Sequence, residues 1–170
     1  MNFKPELLAK VLAGEKTQTR RSVHDGDGYF DLNRDGFSTR YTVPSGFVDT
    51  VIDGKSGRVR YEVGRIYAVC PGRGKSGQGF IRLTRIRYED VRCINHEDTI
   101  AEGFTSPFAF WLVWCGFYVP NVMYKLQGWQ DLSDMFGEDS GAGTAATRKW
   151  LLDRPADNFL AWALTFELVK

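Results

Sequence analysis

Cysteine is scarce in this chain of 170 residues. The three present, Cys70, Cys93 and Cys115, are scattered, and none forms a C-x-x-C pair. An odd, dispersed set gives neither a disulfide framework nor a thiolate zinc site, and it suits a reducing compartment. Histidine is scarcer still. His24 and His96 are the only two, and neither stands at a ligand spacing from the other or from a cysteine, so each is expected as a surface or structural residue. Net charge is nearly absent, with Lys+Arg 22 against Asp+Glu 21. No global positive field draws nucleic acid, and any such contact needs a local basic patch. The N-terminus lacks the basic-then-apolar pattern of a secretory signal. The most apolar run, 107–120, is short for a bilayer; its aromatics Phe108, Phe110, Trp111, Trp114, Phe117 and Tyr118 read as a core or pocket wall. These absences predict a soluble cytoplasmic protein with no metal, no other cofactor and no membrane partner.

What is present is an ordinary globular composition, 43% hydrophobic and 25% charged, and enough length for one domain with its own core. Leu7, Leu8, Val11 and Leu12 recur at helical spacing between Pro5 and Gly14, which predicts a helix over 4–13 that stops at the glycine. Residues 16–22 follow as a turn running into an extended segment, and 24–36, rich in Asp and Gly, read as loop or hairpin tip. Strands are predicted over 40–43, 47–52, 58–63 and 66–70. A Gly-rich loop, 71–79, leads to a long strand over 80–88. There Phe80, Arg82, Thr84, Ile86 and Tyr88 fall on one face and Ile81, Leu83, Arg85 and Arg87 on the other, so part of each face is expected to be exposed. A short strand over 91–94, a helix over 95–102 with Asn95 as N-cap and Gly103 past its end, and a helix over 107–116 come next. Residues 128–144 look turn-rich, 145–152 helical, and 159–169 a closing strand. Short strands with helices between them predict an α+β fold built on a small mixed β-barrel.

Two stretches resemble ligand loops and fail on inspection. Residues 31–36 match the first half of a calcium loop, but Thr42 stands where the bidentate acid belongs and Arg34 adds a positive charge. An Asx-rich hairpin turn is the expectation. Gly74-Lys75-Ser76 resembles the end of a phosphate loop, but Val69 replaces its first glycine and a strand pattern follows in place of a helix. A flexible basic loop carrying Arg73 and Lys75 is expected there.

The densest polar chemistry follows the first helix: Gly14-Glu15-Lys16-Thr17-Gln18-Thr19-Arg20-Arg21. A threonine hydroxyl becomes a nucleophile only when a neighbour takes its proton. Lysine does so when burial and nearby cations, here Arg20 and Arg21, loosen its own. Lys16 and Thr19, three apart, face opposite sides of an extended strand and converge only through a turn or a long lysine stem. Glu102, at a helix exit where the dipole does not stabilise a carboxylate, is the candidate partner acid. The plainer alternative is that Lys16 and Arg20 are solvated cations and Glu102 pairs with one of them.

Gly14 to Arg21 resembles the G-x-K-T-x-T-R signature of the ASCH-domain family, whose fold resembles the PUA RNA-binding β-barrel. Val63-Gly64-Arg65-Ile66-Tyr67 is similar to that family's V-G-D-x-Y segment, with Arg65 in place of the usual acid, and Ile100-Ala101-Glu102-Gly103-Phe104 is similar to its A-x-E-G-F helix end. The resemblance covers about 1–22, 62–115 and 157–170, leaving 23–61 and 116–156 as insertions into a single domain over 1–170. It implies a mostly antiparallel PUA-like barrel flanked by helices, and two classes of function. Some small members are amidohydrolases that deacetylate N4-acetylcytidine; carried over, Thr19 is nucleophile, Lys16 its activator and oxyanion stabiliser, and Glu102 the proton carrier. Other members are RNA-binding or ribonuclease-like, and would grip phosphate and base through Lys16, Arg20, Arg21, Arg73 and Lys75. Thr17 and Tyr67 join Arg20, Arg21, Arg73 and Lys75 as expected substrate-binding residues, and the expected partner is a nucleoside or RNA. Arg82, Arg85, Arg87 and Arg92, interleaved with Tyr88, supply a basic strip for the RNA function. A third possibility is a catalytically silent binding module that exposes Trp111, Trp114 and Tyr118 to a partner.

Overall fold

The computed structural model describes residues 1–24, 26–31, 37–39, 46–119 and 141–169. They fall into two compact units: Met1–Glu89 with Ala101–Gly103 and Ala161–Lys170, and Asp90–Ile100 with Phe104–Leu160.

The first unit opens with helix α1, Pro5–Ala13, which has its proline in the first turn and ends on Gly14 at φ 77. The Gly14 N–H donates to the Val11 carbonyl, and the Glu15 and Lys16 N–H groups converge on the Lys10 carbonyl at 2.9 and 3.1 Å. Those bonds satisfy the last carbonyls of the helix and deliver Lys16 to the start of β1, Gln18–Ser22. The remaining strands are β2 (Gly28–Asp31), β3 (Phe37–Thr39), β4 (Phe47–Ile52), β5 (Val59–Glu62), β6 (Ile66–Val69), β7 (Gly79–Asp90) and β8 (Leu160–Val169). They form one 8-stranded sheet in the order β1-β8-β7-β4-β2-β3, with β5 beside β4 and β6 beside β7. The pairings of β1 with β8, β2 with β3 and β4, β4 with β5 and β7, and β6 with β7 are antiparallel. The α+β, mostly antiparallel architecture expected from the sequence is the one that forms, but among the described residues its path runs open from β1 to β3 and does not close as a barrel.

Leu8 and Val11 of α1 pack against Val48 and Val51 of β4, Ile81, Leu83 and Ile86 of β7, and Trp162, Leu164 and Phe166 of β8. In β7 the buried positions run Ile81, Leu83, then Ile86. The alternation slips by one, so Ile86 and Tyr88 join the inward residues instead of sharing a face with Phe80 and Arg82 as simple period-two counting predicts. Beyond the slip, Arg87 and Glu89 share the outward face. Gly54 lies so close to the Gly26 backbone that a Cβ would fall 1.8 Å from the Gly26 carbonyl oxygen, which fixes the turn after β4 against the segment leading into β2.

Within the second unit, α2 (His96–Ala101, its last residue counted with the first unit) is capped as expected by Asn95, whose side chain accepts from the Asp98 N–H at 2.7 Å. Helix α3 (Pro107–Tyr118) is capped by Ser106 and buries Phe110, Trp111, Trp114 and Cys115. The Trp111 and Trp114 indole N–H groups donate to the Val91 and Asn158 carbonyls at 2.8 and 3.1 Å, so each buried ring satisfies its polar edge. Two elements differ from expectation. Residues Val91–Cys93 form a 3₁₀ turn in place of a strand, because the Asp90 carboxylate accepts from the Arg92 N–H and folds the backbone back. Helix α4 begins at Gly141 and runs to Leu152, so the turn expected to last to 144 gives way earlier. In the 24–36 segment, read as loop or hairpin tip, residues Gly28–Asp31 form β2 and pair antiparallel with β3. The strand expected over 40–43, the turn over 32–36 and the segment 128–140 lie outside the described residues. No helix among the described residues is long and apolar enough to cross a membrane. All three cysteines are free, and burial pushes the Cys115 thiol up to about 12, leaving it protonated and inert.

Candidate functional site

The Thr17 N–H donates to the Ala101 carbonyl and the Thr17 carbonyl accepts from the Phe166 N–H, both at 2.9 Å. This backbone tether lays the approach to β1 beside segment 101–103. Gly103 adopts φ 86, a left-handed conformation that costs any residue with a Cβ. A Cβ there would also stand 3.6 Å from the Cβ and Cδ of Lys16. That is ordinary contact, so the lysine stem lies along the turn at van der Waals distance, and only Lys10 Cδ, at 3.2 Å, would be crowded. At its end the Lys16 Nζ donates to the Glu102 carbonyl at 2.6 Å and to Glu102 Oε2 at 2.5 Å. Lys10 Nζ donates to the Gly103 carbonyl at 2.6 Å.

The other oxygen of Glu102 is also taken: Arg20 Nη1 donates to Oε1 at 3.1 Å. Arg20 Nε donates in turn to Glu89, whose second oxygen accepts from Arg87 Nε and Nη2 at 2.9 and 2.5 Å. Lys16, Glu102, Arg20, Glu89 and Arg87 thus form a line of charges alternating in sign. The sequence pattern ends the long strand at 88 and so leaves Glu89 outside it, whereas β7 runs on to Asp90. The available signal was the pair Arg87 and Glu89, two apart and therefore on one face of any strand that continues.

Lys16 is 1% exposed, Glu102 3% and Arg20 5%. The alternative in which Lys16 and Arg20 are solvated cations is corrected by these values. Burial is the largest influence on the Lys16 ammonium and lowers its pKa below the usual lysine range; the charge and hydrogen bond of Glu102 pull it back, and Arg21 and Arg20 push it down again. The balance favours proton loss.

Thr19 is buried, 5% exposed, and pairs across the strands with Leu164, whereas Arg20 pairs with Ala163. Leu164 belongs to the core, so Thr19 faces inward and Arg20 outward. Among the described residues the Thr19 hydroxyl makes no hydrogen bond to Lys16 or Glu102. Arg21 shares the inward face; its guanidinium sits over the Phe3 ring at 5.4 Å and donates to the Asn2 carbonyl at 2.6 Å. Tyr67, opposite the core residue Ile81, has a buried hydroxyl with no hydrogen-bond partner among the described residues. The Thr17 side chain is exposed, and Arg73 and Lys75 stand exposed on the loop after β6. The structure therefore brings Lys16, Glu102 and Arg20 together, and leaves Thr17, Thr19, Arg21, Tyr67, Arg73 and Lys75 outside that hydrogen-bonded group.

The arginines of the expected basic strip are engaged elsewhere. Arg82 pairs with Glu167 at 3.1 Å, Arg87 with Glu89 and Arg92 with Asp90, Arg85 lies over the Phe47 ring at 4.7 Å, and Tyr88 packs partly buried against the core. Trp111 and Trp114 are buried and offer no partner surface. Among the described residues candidate cation ligands gather at one place, where atoms of His24, Asp27 and Asp53 lie within 4.8 Å of one another. A guanidinium already serves that cluster: Arg60 donates to Asp27 Oδ2 and approaches His24 Nε2 at 3.4 Å. Asp27 Oδ2 also accepts from the Trp162 indole at 3.0 Å and from the His24 N–H at 3.0 Å.

No family model matches this chain, and no curated protein matches it. Among solved structures it is similar to protein EF3133 from Enterococcus faecalis V583, described as family-model DUF984, at 14% identity and a TM-score of 0.47, covering 96% of this chain and 70% of that one.

Proposed function

We propose that this protein is a metal-free amidohydrolase acting on an acylated nucleoside or modified pyrimidine of the N4-acetylcytidine kind. One observation carries the proposal: Lys16 and Glu102, 86 positions apart in sequence, meet at 2.5 Å in a buried site. Amide cleavage without a metal needs a nucleophile, a base to take its proton and a donor to the developing oxyanion. A lysine whose pKa burial lowers suits the base better than an exposed one, because only the neutral form accepts a proton.

In the proposed sequence the Thr19 Oγ attacks the amide carbonyl carbon, forming a C–O bond while its proton passes to the Lys16 amine. The resulting ammonium, held by Glu102, faces the oxyanion. Collapse breaks the C–N bond, and the proton returns through Glu102 to the leaving amine. Water then cleaves the threonyl ester by the same exchange and releases the carboxylic acid. On this reading Thr19, which faces the core and bonds neither Lys16 nor Glu102 in the free protein, reaches Lys16 only when bound substrate draws the two together. Arg21 and the Tyr67 hydroxyl, which has no hydrogen-bond partner among the described residues, lie on the inward face with Thr19 and offer donors to the base and sugar. Thr17, Arg73 and Lys75, all exposed, would contact only the outer part of a substrate.

The test is incubation of the wild-type protein with N4-acetylcytidine and a panel of acylated nucleosides, beside Lys16→Ala, Thr19→Ala and Glu102→Ala. The expected result is turnover by the wild type alone. Absence of turnover across the panel sinks the proposal.

A further inference from the structure

We propose that Arg20, anchored by Glu89, is a positioning residue that holds one oxygen of Glu102 so that Lys16 shares this carboxylate with a permanent cation. The inference rests on the amidohydrolase reading for its purpose, though not for its geometry. Glu102 presents two oxygens to two different donors: Oε2 to Lys16 at 2.5 Å and Oε1 to Arg20 Nη1 at 3.1 Å. The Arg20 guanidinium cannot swing away, because its Nε is bonded to Glu89, and Glu89 is bonded by Arg87 on its far oxygen. Guanidinium stays charged at every physiological pH and meets carboxylates with fixed planar geometry.

A carboxylate serving lysine alone would stabilise the ammonium fully and make the lysine a poor base. Splitting the carboxylate between Lys16 and an arginine weakens that stabilisation, and a second cation nearby repels the ammonium. Both effects act in one direction, toward the neutral amine. The charge of Arg21 also acts on the Lys16 ammonium, and Lys10, whose Nζ is bonded to the Gly103 carbonyl, lines the same turn as the Lys16 stem; both are further cations, and Glu102 is the sole carboxylate that hydrogen-bonds Lys16 among the described residues. Glu89 works at one remove. It offsets part of the Arg20 charge, so its loss sharpens the effect of Arg20 on Lys16.

The geometry therefore predicts opposite signs for the two positions. Nuclear magnetic resonance of lysine-labelled protein reads the Lys16 ionisation midpoint directly. Arg20→Met should raise that midpoint by about one pH unit, a tenfold change in proton affinity, and Glu89→Gln should lower it. Arg20→Lys, which keeps a cation, should hold it near the wild-type value. A residue that merely supported the fold would shift stability without this sign pattern. If Arg20→Met fails to fold, Glu89→Gln still carries the test, since it keeps Arg20 in place. An unchanged or raised midpoint in Glu89→Gln, or an unchanged or lowered one in Arg20→Met, overturns the inference. Midpoints that move as stated while no acylated nucleoside is hydrolysed overturn the enzymatic proposal alone.

Discussion

Lys16 Nζ reaches both the main chain and the side chain of Glu102, at 2.6 Å to the carbonyl and 2.5 Å to Oε2. A single lysine thereby closes the turn at Gly103 and shares the buried Glu102 carboxylate with Arg20. The pair is set by backbone first, through the Thr17 bond to Ala101, and by side chains second.

Removing one partner from this buried group should cost far more than removing a surface pair. Glu102→Ala leaves Lys16 and Arg20 facing each other without their shared carboxylate, and urea denaturation should show a loss of about 3–5 kcal/mol. Arg82→Ala breaks the exposed pair with Glu167 and should cost at most about 1 kcal/mol. Equal losses would mean that Glu102 is solvated.

The lowered pKa of Lys16 fixes the sign of a pH effect. Between its folded value and the ordinary 10.5, the unfolded chain binds the proton and the folded chain does not, so stability rises with pH in that window and is flat below it. The difference in unfolding free energy between wild type and Lys16→Met should accordingly grow as pH climbs toward about 10.5. A difference that shrinks over that range would show a raised pKa and a lysine held as ammonium.

Thr19→Val removes a hydroxyl that bonds neither Lys16 nor Glu102 and keeps the buried shape. Thermal unfolding should therefore change by no more than about 1 kcal/mol. Hydrolysis, on the proposed chemistry, should fall by about a thousandfold or more. Retained turnover in this variant would move the nucleophile from Thr19 to water.

Gly103→Ala places a Cβ at φ 86, 3.2 Å from Lys10 Cδ and 3.6 Å from the Lys16 stem. The left-handed backbone alone should cost about 1–2 kcal/mol, read as a lowered melting temperature. The same variant should weaken hydrolysis, because a strained turn displaces the Glu102 carbonyl that Lys16 Nζ bonds.

Much of the scaffold around this site is legible locally. Pro5 and Gly14 bracket α1, and Asn95 caps α2, because each residue type solves a backbone problem that only the helix end poses. What stays hidden depends on neighbours distant in sequence. Period-two counting places Ile86 with Phe80; the slip that turns it inward, beside Ile81 and Leu83, depends on how β7 meets β4. Val91 to Ile94 has the composition of a strand, yet the Asp90 side chain bends it into a turn. Gly141 and Gly143 argue for a turn by propensity, and the helix forms over them regardless. At the site, the lysine and the glutamate are each visible as residues, but 86 positions separate them and no local period joins them. Their meeting is expected from the need for a partner acid at a helix exit and from the family resemblance, not from any local pattern. Arg20 and Glu89 are readable as charges and not as partners, because they stand on β1 and β7 with β8 between them, an order that no local pattern shows.

The most direct measurement is the pH dependence of kcat/KM for an acylated nucleoside, set beside the Lys16 ionisation read by magnetic resonance. The account predicts a rate that rises with pH through one limb whose midpoint coincides with that of Lys16, and that vanishes in Lys16→Met. A wild-type protein that cleaves no amide in the panel, or a rising limb that survives in Lys16→Met, would contradict it.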